Sequence, residues 1–296
     1  MKSHKLLLLL LITVSLNFNS WSQQKELPVV LLRVDDIGMN HSVNTAIKEL
    51  AESGIPFSTS VMFACPWYQE AVAILKQYPA VAVGVHLTLN AEWKFYRWGP
   101  VVGRTAAPSL VDSLGFFRAS VNEFARSKYN LDEVEKELTA QIERAIASGV
   151  KIHYVDPHMG TALSTPELRA IVEKLAKKYK LGISTYFGEN YKTMWGVPVE
   201  RKKQEFISHL DNLNSDKANL IEIHVAHRTP EMDVLVDLNS SLMSLNDGKP
   251  GASLHRQTEL NMLLSPEFKN LVGKKFRLAT YADLVREKGL QSMQRN

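Results

Sequence analysis

The sequence predicts an α/β chain wound as a distorted (β/α) barrel of the TIM type, with about seven parallel strands and an active site at their C-terminal ends. Three observations carry this. Short β-branched runs alternate with longer helical patterns, the order of parallel βα units. Acidic and histidine residues recur where strand runs stop, at Asp35/Asp36, His86, Asp156/His158 and His224, and barrel sites are built from such ends. No GxGxxG follows the first strand, so the open dinucleotide-binding sheet lacks its main signature.

The first strand is the apolar run Val29-Val30-Leu31-Leu32, too short for a membrane span and rich in β-formers. It leads to Asp35, Asp36, Ile37 and Gly38. A helix follows, with Val43, Ile47, Leu50 and Ala51 at helical spacing and Gly54 ending it. Phe57–Met62 reads as the second strand, Tyr68–Tyr78 as a helix and Val81–Leu87 as the third strand.

Residues 91–130 form a long irregular region holding Trp93, Phe95, Tyr96 and Trp98. A loop of this length in a compact domain is functional or disordered, and its aromatic content argues against disorder. Its rings could stack on the apolar face of a sugar, or could pack a lid on its own side chains. Leu131, Val134, Leu138, Ile142 and Ala145 then pattern an amphipathic helix, with Glu135, Glu137 and Glu143 on its solvated face. Val150–Val155 is the fourth strand, Pro166 opens a helix and Leu181–Phe187 is the fifth strand. The sixth, Asn219–Val225, puts Glu222 and His224 on one face at period 2. Phe276–Thr280 is the last strand, and the last helix starts at Tyr281.

Of 296 residues, 45% are hydrophobic and 22% charged, a globular composition with room for one large domain. The N-terminus stands apart. Lys2 and Lys5, an apolar run from Leu6 to Leu16 and the small residues Ser20 and Ser22 have the order of a secretory signal peptide. The expected organisation is a signal peptide over residues 1–22 and one domain over 23–296, exported to the periplasm or secreted. No stable membrane span is expected after cleavage, because the apolar run is short. Cleavage removes two lysines and no acid, bringing the formal charge from +4 to +2. No basic stripe interleaved with aromatics appears, so nucleic acid is not an expected partner. A homo-oligomer is compatible with the sequence. Cys65 is the only cysteine, so the fold has no intrachain disulfide, and the thiol reads as a small buried side chain.

Two adjacent carboxylates at the end of a buried strand are costly. A divalent metal removes the cost if one ligates it while the other stays free as a base; the bland alternative is a turn in which Asp36 or Asn40 caps the helix. The recurrence of His and Asp at four strand ends favours the metal. Asp36, His86 and His158 form an N2O ligand set with open positions, suited to Zn²⁺ or, with more waters, Mg²⁺. Asp35 is the candidate base and His224 the candidate acid, with His227 an alternative that strand alternation disfavours. His153 and His41 are not taken as ligands.

The runs VDDIGMNHSVNTAIKELAESGIPFSTSVM, VAVGVHLTLN and HYVDPHMGT, together with the late LHRQTELNMLLSPEF, resemble the YdjC/ChbG-like carbohydrate deacetylase family over nearly the whole mature chain. The resemblance implies a distorted barrel that removes acetyl groups from N-acetylated sugars such as chito-oligosaccharides with a divalent ion. Carried onto this chain, it assigns base and metal ligand to Asp35 and Asp36, and the remaining metal ligands to His86 and His158. Trp93, Trp98 and Arg256 are taken as substrate-side residues. The chain departs from the family pattern at Met159-Gly160-Thr161, where many members carry more histidines, and after His224, where a proline is common. Two other classes compete: a metal-dependent phosphoesterase on a similar barrel, for which only Arg33 offers a nearby cation, and a non-catalytic glycan-binding protein, which would have no use for a free Asp35.

Overall fold

A computed structural model describes residues 26–240 and 251–295; the expected signal peptide lies outside the described residues. Eight parallel strands form one sheet: β1 (Val29–Ile37), β2 (Ser58–Val61), β3 (Ala82–Leu87), β4 (Ile152–Pro157), β5 (Gly182–Ile183), β6 (Asn190–Thr193), β7 (Asn219–His224) and β8 (Arg277–Ala279). Their order is β5-β4-β3-β2-β1-β7-β6, with β8 paired to the first residues of β1. The helices are α1 (His41–Glu52), α2 (Tyr68–Leu75), α3 (Val121–Arg126), α4 (Leu131–Ala147), α5 (Pro166–Tyr179), α6 (Val199–Asp211), α7 (Pro230–Asp233), α8 (Gly251–Leu264), α9 (Pro266–Leu271) and α10 (Tyr281–Lys288). Among the described residues, no helix is long and apolar enough to cross a membrane.

The sheet curls. In a flat sheet β1 and β5 would lie about 19 Å apart, four strand spacings. Yet Arg33 of β1 donates from Nη1 to Ser184 Oγ, just past β5, at 2.7 Å, and from Nη2 to Glu222 of β7 at 2.5 Å. One side chain touches both flanks only if the strands wrap around it. This is the distorted barrel, with β5 and β6 as the two ends of the strand path.

The remaining differences from the sequence-based expectation have local causes. The fifth strand is two residues long because the backbone N–H groups of Thr185 and Phe187 donate to the Glu189 carboxylate, leaving no ladder to extend. The polar β6, Asn-Tyr-Lys-Thr, carried no apolar alternation and was not anticipated. Glu137 is fully buried rather than solvated, and it accepts the N–H groups of Val101 and Val102 at 2.9 and 3.0 Å. The 91–130 region is thereby tied to α4. Trp98 donates to Asn90 O at 2.7 Å from a buried position, and Trp93 is fully buried. In this region Trp93 and Trp98 are packed inward while Phe95 stays exposed. Cys65 is buried with a free thiol.

Candidate active site

Alternation along a strand sends neighbouring side chains to opposite faces, yet Asp35 and Asp36 both reach the same centre. A break in β1 makes this work. Its register against β2 shifts between Asp35 and Ile37, and Asp36 takes φ +73°, a left-handed conformation that Asp tolerates better than most residues. Cross-strand register places the rest: Asp35 is opposite His224, Arg33 opposite Glu222, and His86 opposite Asp156.

At the centre, Asp36 Oδ1 is buried and makes no hydrogen bond among the described residues. His86 Nε2 lies 3.3 Å from it and His158 Nδ1 3.6 Å. The ligand atoms of these three residues fall within 4.8 Å of one another, a span one divalent ion can draw together. Each imidazole is oriented from its other nitrogen by a second carboxylate. Asp156 Oδ2 lies 2.9 Å from His86 Nδ1, and Glu92 Oε2 lies 3.0 Å from His158 Nε2. Such carboxylate–histidine pairs fix the tautomer and raise the basicity of a metal-ligating imidazole. Burial alone would lower both histidines, but Asp156 and Asp36 raise His86 to about 10, while Glu92 and Asp36 raise His158 to about 9. The pocket thus attracts positive charge, which an ion would supply in place of those protons.

The second oxygen of Asp36 is held separately. Arg256 Nη2 of α8 lies 2.6 Å from Oδ2. Against the burial penalty, Arg256 and the two imidazoles hold Asp36 well below the ordinary carboxylate range. Arg256 itself is fully buried, with its guanidinium carbon 5.6 Å from the Trp93 ring centre and 5.5 Å from that of Trp195. Trp93, Trp98 and Arg256, expected on the substrate side, are not among the residues that line the cavity. Trp93 backs the Arg256 cation, Trp98 is a core residue, and Arg256 faces a carboxylate of the protein rather than open space.

Asp35 is gripped by Arg33, whose Nε lies 3.0 and 3.1 Å from its two oxygens. Arg33 also pairs with Asp156 at 2.7 Å and Glu222 at 2.5 Å. The guanidinium therefore already neutralises the neighbouring cluster of Asp35, Asp156 and Glu222. Burial pushes Asp35 up to about 7, with Arg33 opposing and Asp156 adding. His224 sits across the centre, its Nε2 3.9 Å from Asp36 Oδ2 and its ring edge-on to Trp195 at 4.7 Å. Its backbone N–H donates to Glu259 Oε2 at 2.7 Å. Burial and Arg256 push its pKa down to about 4, against Asp36. His227, the alternative, is instead on the outer surface against Glu49, while His41 pairs with Glu70 and His153 accepts from Val83 N–H.

A cavity of about 720 Å³ opens above this centre, lined by Asp35, Asp36, His86, His158 and His224 at its base. Sequence reasoning missed Glu92, which carries no periodic signal, and the aromatic lining residues Tyr186, Tyr191 and Trp195. A charged residue inside the apolar first strand was the available clue to the partnering role of Arg33.

Fold and cluster together define a (β/α)-barrel protein with a buried centre suited to a divalent ion. The family model for YdjC-like protein matches residues 29–274, and the chain belongs to that family. A carbohydrate deacetylase of Brevibacillus brevis is 26% identical over 272 residues, covering 86% of this chain and 99% of that protein. A carbohydrate deacetylase of Enterococcus faecalis is 32% identical over 154 residues, 51% of this chain and 56% of its own length. Among solved structures, a protein of Enterococcus faecalis V583 provisionally described as a cellobiose-phosphate cleavage protein matches with a TM-score of 0.69 at 23% identity. It covers 88% of this chain and 99% of that one, and it shows the fold.

Proposed function

We propose that this protein is a divalent-metal-dependent deacetylase of N-acetylated sugars, chito-oligosaccharides among them, exported after removal of residues 1–22. The observation that carries the reading is the buried Asp36 Oδ1, without a hydrogen bond among the described residues, facing His86 Nε2 and His158 Nδ1, with the Arg33-held carboxylate of Asp35 one residue away. Membership of the YdjC-like family and the carbohydrate deacetylases among its relatives support the amide substrate.

Asp36, His86 and His158 would hold the ion, Mg²⁺ or Zn²⁺, which supplies Lewis acidity to the acetyl carbonyl and to the attacking water. The protein's own residues do the rest. Asp35 takes the water proton; a carboxyl pushed up to about 7 is well matched to a base working near neutrality. Arg33 keeps Asp35 from swinging away between turnovers. His224 stands on the other side of the centre, where the leaving nitrogen must acquire a proton. Burial keeps it neutral beforehand, and negative charge developing on the tetrahedral oxygen beside it lets the imidazole take up the proton that Asp35, opposite it on β1, accepted from water, for delivery to the amine. The C–N bond breaks as that proton arrives, releasing acetate and the free amino sugar.

The test is acetate release from N-acetylated mono- and oligosaccharides by mature protein with Mg²⁺, Zn²⁺ or chelator, beside Asp35→Asn and His86→Ala. Asp35→Asn should lose about 10²–10⁴-fold in kcat while keeping its metal, and His86→Ala should lose the metal itself. Metal-independent turnover, or full activity in Asp35→Asn, would overturn the reading.

A further inference from the structure

We infer that the seam between β5 and β6, where the barrel does not close, is a groove that holds a sugar chain, with Tyr191 and Trp195 as its aromatic floor. The inference rests on the deacetylase reading and extends it from the reacting acetamide to the neighbouring sugar units.

The cavity does not end at the catalytic base. Its wall continues along β6 through Tyr191 and Thr193 to Trp195 in the turn that follows, and on the β5 side it takes in Thr185 and Tyr186. Positions 191 and 193 share one face by strand alternation and Trp195 follows in the turn, so a single run of chain supplies this flank. The polar atoms of that flank are largely committed. Tyr191 Oη and Thr193 Oγ1 both donate to Glu222, at 2.7 and 2.8 Å, and Glu222 is in turn gripped by Arg33. What Tyr191 leaves free is its ring, 47% exposed and held in a fixed orientation by the Glu222 anchor. Trp195 is anchored likewise, against Arg256 and the edge of His224. Pre-oriented ring faces beside an acidic centre suit the apolar C–H face of a pyranose, whose hydroxyls can stay in water.

The neighbours of the two rings give the length of the occupant. Trp195 lies against His224 and Tyr191 against Glu222, two residues apart along β7, so the rings line different parts of the cavity wall and address different sugar units. Trp195, beside His224, underlies the unit that carries the reacting acetamide, and Tyr191 underlies a neighbour further along the seam. A cavity of about 720 Å³ agrees with an occupant longer than a single ring.

The experiment compares acetate release from N-acetylglucosamine and its β-linked tetramer by the metal-loaded wild type, Tyr191→Ala and Tyr191→Phe. Wild type should favour the tetramer. Tyr191→Ala should reduce the tetramer-to-monomer ratio of kcat/KM about tenfold, chiefly through KM for the tetramer. Tyr191→Phe keeps the ring but loses the hydrogen bond to Glu222, and should stay within about twofold of wild type. If Tyr191→Phe falls as far as Tyr191→Ala, the residue acts only by anchoring Glu222 and the groove is refuted. An unchanged ratio in Tyr191→Ala, or a wild type indifferent to length, refutes it equally. A wild type that releases no acetate from any N-acetylated sugar defeats the deacetylase reading itself.

Discussion

Replacing Arg33 with Met tests how far the barrel depends on its central cation. Arg33 is buried and pairs with Asp35, Asp156 and Glu222 at 2.8, 2.7 and 2.5 Å. Methionine fills similar space without charge and leaves three acids facing one another. Removing one member of a buried ionic cluster costs about 3–5 kcal/mol, because the remaining charge is uncompensated. For a chain of this size that is a fall of about 6–20 °C in Tm. The sign of its pH dependence is also set. Burial already pushes Asp35 from its ordinary 3.8 up to about 7 with Arg33 in place, and the substitution can only raise it further. A group with a raised folded-state pKa contributes fully below its unfolded value and loses that contribution as pH rises through the folded one. The deficit of Arg33→Met should therefore be small near pH 4 and widen towards pH 8. The assay is urea unfolding followed by circular dichroism across that range, in chelator so that no metal intervenes. A variant within about 1 kcal/mol of wild type at pH 8, or a deficit that widens on acidification, would refute the central role of Arg33.

Three further outcomes follow from contacts at or behind the site. Glu92→Gln, which removes the carboxylate behind His158 Nε2, should weaken Zn²⁺ or Co²⁺ binding about 10–100-fold in a competition titration against a chromogenic chelator. Trp93→Ala should cost about 3–5 kcal/mol in denaturant unfolding, as expected of a fully buried ring supporting Arg256; a loss confined to KM would restore it as a sugar contact. Gly84→Ala should destabilise by about 1–3 kcal/mol in the same unfolding assay, since a Cβ there would lie 2.5 Å from the Tyr154 ring.

The parts of the site that were legible in the sequence are those set by strand periodicity. Apolar runs ending in Asp35-Asp36, His86, Asp156-Pro157-His158 and His224 announce both the strands and the chemistry at their ends, and the register then brings Asp35 beside His224 and His86 beside Asp156. Glu92 could not be found this way, because it meets His158 across 66 residues of chain and belongs to no strand. The loop aromatics were open to two readings for a related reason. Sequence alone could not choose between sugar-facing and inward-packed rings for Trp93 and Trp98; burying an aromatic is worth more than exposing it, and both are buried. Tyr191 and Trp195 instead reach the cavity from β6 and its turn, whose polar sequence gave no strand signal. One structural consequence was nevertheless implicit in the first motif. Adjacent strand residues face opposite ways, so a base and a metal ligand can occupy consecutive positions only if the strand breaks its alternation between them. The bulge after Asp35 and the left-handed Asp36 are that break. They place the local strain where the two carboxylates are required to converge.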